Sequence, residues 1–438
     1  MRQVKLFAGI AAAALALAAC GGGTTADMPG DNKDTKPADS AKAWEGDASE
    51  VVITTWWEAG SEKVGFEALG DVFKQKYPDI KFTKAAIAGG GGSQAKQKLA
   101  ADLAAGSPPD TFQAHAGAEL TDYIDADQIL DVSGLYDELK LKEAFPATLI
   151  DRLTSDGKIY SVPSNIHRAN VVWANPEVLK EAGIDPTKQP EDLDAWIADM
   201  EKIKAKGKTP LTLGVAWTRL HLFETILLAD LGAEKYNGLF DGTTKWDSED
   251  VTKAIKHFEK ILTFTDKALY TEDWEPAMQP VVDGKAAYNV MGDWAVGSFN
   301  AQNKEDGKDY IYFPVPGTQG TFDFLADSFT LPKGAAHPGG TRAWLDVISS
   351  KEGQIAFNLA KGSIPARSDL TDEERGKFPK YQQTAMESFG KDTIVSSIAH
   401  GAALPVKKSN AISDAVAKFV EGGSDAAQFQ QELVQANK

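Results

Sequence analysis

Trp56, Trp57 and Glu58 stand side by side in "VVITTWWEAGSEK", where an apolar run gives way to polar residues. Flat indole faces beside a planar carboxylate suit a molecule with both C–H and O–H surfaces. A pyranose has that character: a patch of axial C–H bonds packs on a ring, and a rim of hydroxyls donates and accepts. The same mixture recurs in "QAHAG" with Gln113 and His115, "SNIHRANVVW" with Asn165, His167 and Arg168, and "AWTRLH" with Trp217 and His221. It recurs again in "MGDWA" with Asp293 and Trp294, and in "SSIAHGA" with His400. Successive strand residues point to opposite sides. One of Trp56 and Trp57 is therefore expected to anchor the core and the other to face a ligand. Two further histidines, His257 in "TKAIKHFEKIL" and His337 in a polar turn, read as solvated.

Other chemistries fit less well. "GGGSQA", Gly90 to Ala95, formally matches a dinucleotide fingerprint with Asp110 about twenty residues on, but the acid precedes the next strand instead of ending it. The glycines read as a loop that lets backbone N–H groups approach a ligand. No G-x-S-x-G elbow, H-E-x-x-H or P-loop occurs. "DYIDADQILD" lacks the glycine of a calcium loop, and no metal or cofactor is implied. A glycosidase needs two carboxylates flanking the scissile bond; Glu58, Glu119 and Asp293 are available, so a hydrolase stays open as the alternative.

The elements that would position these residues alternate in type. Val51 to Trp57 reads as a strand, and Val64, Phe66, Leu69, Val72 and Phe73 follow at near-helical spacing. "DIKFTKAAIA" is a second strand, Gln94 to Ala105 a helix, and "DTFQAHAG" a third strand. Such alternation implies an α/β body with a mostly parallel, covered sheet and a ligand site beyond the carboxyl ends of its strands. That rule sets Trp56 to Glu58, the glycines 89–92 and Gln113 to His115 along one edge.

The N-terminus fixes the compartment. Arg2 and Lys5 precede an apolar run from Leu6 to Leu17 and small residues at Ala18 and Ala19, the plan of an export signal. The run is short of the ~20 residues of a membrane span. "LAAC", Leu17 to Cys20, resembles a lipobox, which implies lipidation of Cys20 and a membrane anchor. Cys20 is the single cysteine, so an internal disulfide is excluded. Residues 21–49 are poor in large apolar side chains and read as a flexible tether. The rest is long enough for two domains. A net charge of −17 argues against nucleic acid or an anionic surface as the main partner.

Taken in order, "WWEAG", "FKQKYPDI", "GSPPDTFQAHAGAEL", "GKIYSVPSNIHRANVVWANPEVL", "GKAAYNVMGDWAVG", "FPVPGTQGTF" and "KGSIPARSD" resemble the solute-binding lipoproteins of bacterial ABC importers. The likeness runs from about Val51 to the C-terminus and is nearest to the glucose and galactose binders. It implies the two-lobed, type II periplasmic-binding-protein fold, with the sugar in a cleft that closes about a hinge. The implied function is a non-catalytic receptor that hands a monosaccharide, glucose first, to a membrane permease. The implied boundaries are a signal peptide at 1–19, a lipidated cysteine and tether at 20–49, one lobe from 50–163 plus 317–366, and the other from 164–316 plus 367–438. Crossings are expected near Val162–Pro163, Pro314–Pro316 and Ile364–Arg367. Carried over by motif, the ligand contacts are Trp56, Trp57, Glu58, Gln113 and His115 with Asn165, His167, Arg168, Trp217, Asp293, Trp294, Lys361 and His400. Asp327 and Ser328 join them.

Overall fold

A computed structural model describes residues 42–438; Cys20 and most of the expected tether lie outside the described residues, and the last part of that tether belongs to the body instead, with Trp44 buried in its core and donating to Glu138 Oε2 at 3.3 Å. Two sheets organise the body. The first runs in the order Lys81–Ala86, Glu50–Thr55, Thr111–His115, Asp327–Thr330, Ser161–Pro163. Its first three strands are parallel, while Asp327–Thr330 runs antiparallel to both of its neighbours. The second runs in the order Ile311–Pro314, Val171–Ala174, Ala286–Val290, Thr209–Thr212, with one parallel pairing. A mostly parallel sheet was expected. Each sheet instead takes antiparallel strands, because returning segments pair beside the parallel ones.

Strand and helix limits follow local chemistry. Glu50–Thr55 alternates partly buried and buried residues, since Val51 and Ile53 face the core. The helix Gly60–Lys76 buries Phe66, Leu69, Val72 and Phe73 against the helix Lys351–Lys361. Val64, expected on that stripe, is exposed because position 64 lies about 200° around the helix from Phe66. Helix Glu249–Leu262 starts where the Ser248 hydroxyl accepts from Val251 N and carries Glu249 and Asp250 in its first turn. Val251, Ala254, Ile255, Phe258 and Ile261 recur at helical spacing and are all buried.

Each sheet has its own apolar cluster. Trp57, Phe66, Phe73, Phe329, Trp344 and Phe357 fill the first, and Trp196, Phe223, Phe258, Tyr288, Phe313 and Phe419 the second. Between the sheets the chain crosses three times. Ser161–Pro163 belongs to the first sheet, and His167–Arg168 joins a small three-stranded sheet with Thr321–Leu325 and Thr393–Ser396. The chain returns at Ala326, between Thr321–Leu325 and Asp327–Thr330, and so well past the expected Pro314–Pro316 turn. At the third crossing Ile364 N donates to Ile166 O at 3.0 Å and Ile166 N to Ile364 O at 2.8 Å. Among the described residues no helix is long and apolar enough to cross a membrane.

Candidate functional site

The carboxyl ends of Glu50–Thr55 and Thr111–His115 open on a cavity between the two sheets, with ≈ 490 Å³ of empty space. Trp56, Glu62, His115, Asp327 and Lys361 line it from the first sheet and its helices, and Trp217, Trp274, Trp294 and His400 from the second, with His167 at the crossing between them. Strand alternation separates the tandem tryptophans. Trp57 is fully buried and packs on Phe66, Phe329 and Phe357, with ring centroids 4.8–6.4 Å apart. Trp56 turns the other way, to the cavity, 5.2 Å from the His115 ring.

Glycines let two indoles lie flat. Gly92 has φ +89°, and a Cβ there would sit 2.8 Å from the Trp56 ring. Gly91, φ +58°, supports Trp217, whose indole N–H donates to Asp273 Oδ1 at 3.1 Å. The glycine loop lines the cavity through Gly89, Gly91 and Gly92 and also gives these two rings room. Trp217, Trp294 and His400 close the far wall, with centroids 5.2–6.3 Å apart.

Asp327 is the electrostatic centre. Gln113 Nε2 donates to its Oδ1 at 3.1 Å, and Asn165 Nδ2 and His167 Nε2 to its Oδ2 at 2.8 and 3.2 Å. Lys361 Nζ lies 3.7 Å from Asp327 Oδ2 and 3.2 Å from Glu62 Oε1. Burial alone would raise the Asp327 carboxyl, but Lys361 and His167 outweigh it and hold it well below the usual carboxylate range. Burial favours neutral His167, yet Asp293 at Nδ1 and Asp327 at Nε2 raise its pKa. Burial also raises Glu62, and Lys361 offsets this only in part. Burial pushes His221 down to about 4. Its Nε2–H donates to Ala169 O at 2.9 Å, so its Nδ1 accepts from His400 Nε2–H at 2.8 Å. The result is a pocket with most of its charge on one side, around Asp327, and most of its aromatic faces on the other.

Of the residues expected to contact ligand, Trp56, His115, His167, Trp217, Trp294, Lys361 and His400 line the cavity. Six do not, and each has a physical reason. Trp57 is core. Glu58 turns outward to Lys84 Nζ at 2.5 Å. Gln113 accepts from Thr55 Oγ1 and donates to Asp327; Asn165 also donates to Asp327. Arg168 reaches Thr321 O at 2.8 Å. Asp293 folds back on the His167 ring and accepts from Arg168 N at 3.0 Å. Three of these six, Gln113, Asn165 and Asp293, sit behind the wall and bond the residues that form it.

Glu62, Asp273 and Trp274 line the cavity without having been singled out from sequence. Glu62 had a readable signal: it lies in the first turn of the helix that follows Trp57, where side chains point back to the strand end. Glu58 and Asp293, the pair a glycosidase would use, do not flank the cavity together.

The chain matches the model of the bacterial extracellular solute-binding protein family over residues 58–355. It is 34% identical to an uncharacterized ABC transporter extracellular-binding protein of Pyrococcus horikoshii, over 89% of this chain and 87% of that one. It is 32% identical to a probable sugar-binding periplasmic protein of Mesorhizobium japonicum, over 86% and 90%. A glucose-binding protein of Saccharolobus solfataricus is 25% identical over 65% of this chain and 55% of its own length. Among solved structures, a chitin oligosaccharide binding protein superposes with a TM-score of 0.77 at 20% identity, covering 90% of this chain and all of that one; this likeness speaks for the fold. The strand pairing, the cavity between the two sheets and these matches agree: the chain belongs to the bacterial extracellular solute-binding proteins, exported binding proteins that do not turn their solute over.

Proposed function

We propose that the chain is the sugar receptor of an ABC importer and that it captures a single monosaccharide, glucose first, for delivery to a permease. The observation that carries this reading is the cavity itself: Trp56, Trp217 and Trp294 frame a space whose polar rim is Asp327, Lys361, Glu62, His115 and His167. A relative named for glucose and one named for sugar binding support the class.

The lobes in this reading are residues 50–163 with 327–366 and 164–326 with 367–438, the return crossing moved to Ala326. Closure is favoured when one ligand contacts both lobes. Lipidation at Cys20 would keep the receptor on the membrane beside its permease.

A longer sugar is the second reading. On the far side of the Gly91–Trp217 wall lies a groove with ≈ 1540 Å³ of empty space, lined by Gln97, Asp122, Asn410 and Ser413 among others.

Calorimetric titration of the body with glucose, galactose, mannose and maltose tests both. Submillimolar binding of one monosaccharide is the expected result. Binding of maltose alone favours the groove, and no heat with any of the four sinks the monosaccharide assignment.

A further inference from the structure

Glu119 lies outside the wall of the tryptophan cavity, at the bottom of the neighbouring groove, and is 1% exposed. Its Oε2 accepts from His115 Nδ1–H at 2.8 Å and from Lys96 Nζ at 2.8 Å. Its Oε1 meets no donor among the described residues. The buried Glu224 is a useful contrast. Its two oxygens are satisfied by Ser397 Oγ, Ile398 N and Ala399 N at 2.6–2.8 Å, as expected of a carboxylate that only braces a turn. Glu119 is one-sided, and the side it uses faces the sugar site.

Its partners sit on that site. His115 turns Nε2 toward Asp327 Oδ1, 3.9 Å away, at the cavity. Lys96 Nζ lies 5.4 Å above the Trp56 ring. Glu119 also reaches across the cleft: its backbone N–H donates to Gly401 O at 2.7 Å, next to His400, and Ala118 N donates to Ala402 O at 3.3 Å. Gly401 has φ +66°, and a Cβ there would lie 2.3 Å from Glu119 Oε2, so the two are in direct contact.

We propose that Glu119 is a positioning residue that couples sugar recognition to lobe closure: its carboxylate fixes the His115 ring with Nε2 toward the sugar, and its main chain grips the loop carrying His400. This rests on the cavity being the sugar site. Burial would raise the Glu119 carboxyl, but Lys96 and His115 hold it down at about 2, so it stays an acceptor at every working pH.

The test is a double-mutant cycle read by glucose titration, with wild type, Glu119→Gln, His115→Ala and the pair, together with ring ¹⁵N spectra of His115 in the sugar-free protein. Loss of one charged hydrogen bond acting through His115 should weaken binding about tenfold in Glu119→Gln. The same change should have under about a twofold effect in the His115→Ala background. The His115 ring resonances should move in Glu119→Gln before any sugar is added. Additive losses, or an unmoved ring, overturn the coupling while leaving the sugar site in place. A wild-type protein that binds none of the sugars overturns the site reading and the coupling with it. Should Glu119→Gln not fold, Glu119→Asp, which draws the carboxylate back by one methylene, is expected to show the same non-additivity.

Discussion

The two walls of the cavity are built differently. The wall from the first sheet carries the charge: Glu62, Asp327 and Lys361 are locked by one another and by Gln113 and Asn165 behind them. The wall from the second sheet is mostly rings, Trp217, Trp274, Trp294 and His400, with Asp273 at the Trp217 indole N–H and His221 behind. Charge-assisted hydrogen bonds need fixed geometry and read hydroxyl positions, whereas ring faces tolerate sliding and read only that C–H surface is present. In the proposed sugar receptor the charged wall selects among hydroxyl patterns and the ring wall responds to any pyranose face.

The largest expected effect comes from removing the charge centre. Asp327→Ala leaves Lys361 and His167 buried without their shared partner. It should reduce unfolding free energy on the order of 3–5 kcal/mol and abolish measurable sugar binding, as read by denaturant titration and calorimetry. Near-native stability would mean that the charged wall is less interdependent than its hydrogen bonds indicate.

The tandem tryptophans sharpen the contrast within one dipeptide. Trp57→Ala should cost about 3–5 kcal/mol of stability. Trp56→Ala should weaken sugar binding by about 1–3 kcal/mol with little change in stability. If the two outcomes exchanged, the strand would be facing the other way, and unchanged affinity in both would remove the stacking role.

Next is the acid response of the ring wall. Buried His221 has its pKa lowered to about 4, against about 6.5 in the unfolded chain. Below pH 6.5 the unfolded chain takes up a proton that the folded chain refuses, so stability falls as pH drops from about 6.5 to 4. The full effect is on the order of 3 kcal/mol. Buried Glu224, raised to about 7 by burial, acts oppositely and loses stability as pH rises from about 4.5 to 7. The informative quantity is therefore a difference. Relative to His221→Gln, the wild type should lose denaturation midpoint steadily over the acid window, and parallel curves would refute the assignment. The smallest effect belongs to Glu58, whose side chain is 43% exposed in its pair with Lys84. Glu58→Gln should shift stability by under about 0.5 kcal/mol and leave sugar affinity unchanged.

Much of this was legible in the residues. The first two strands and the helix before the third match the apolar periodicity to within one or two residues. The recurring mixture of Trp, His and polar side chains found most of the wall. What pattern could not supply was direction. Alternation says that Trp56 and Trp57 part company, and only the packing of Phe66, Phe329 and Phe357 decides which goes inside. Glu58 was expected at the ligand because it adjoins the indoles, but it continues past the strand end to Lys84, and Glu62, turned back by its helix, lines the cavity. Asp293 was expected to meet ligand and instead holds His167, because Arg168 N captures its second oxygen. The Asp293 role depends on pairings 125 and 126 residues apart in the chain, which local spacing does not encode.

The strand Asp327–Thr330 lies between Thr111–His115 and Ser161–Pro163, not at an edge of the first sheet. That sheet therefore has a gap in its middle until Thr330 has joined it. The small sheet waits longer still, for Thr393–Ser396. Closing such distant pairings is entropically slow. Slow closure leaves a chain bound for export unfolded for longer, and an unfolded chain is the form that threads through a narrow membrane pore.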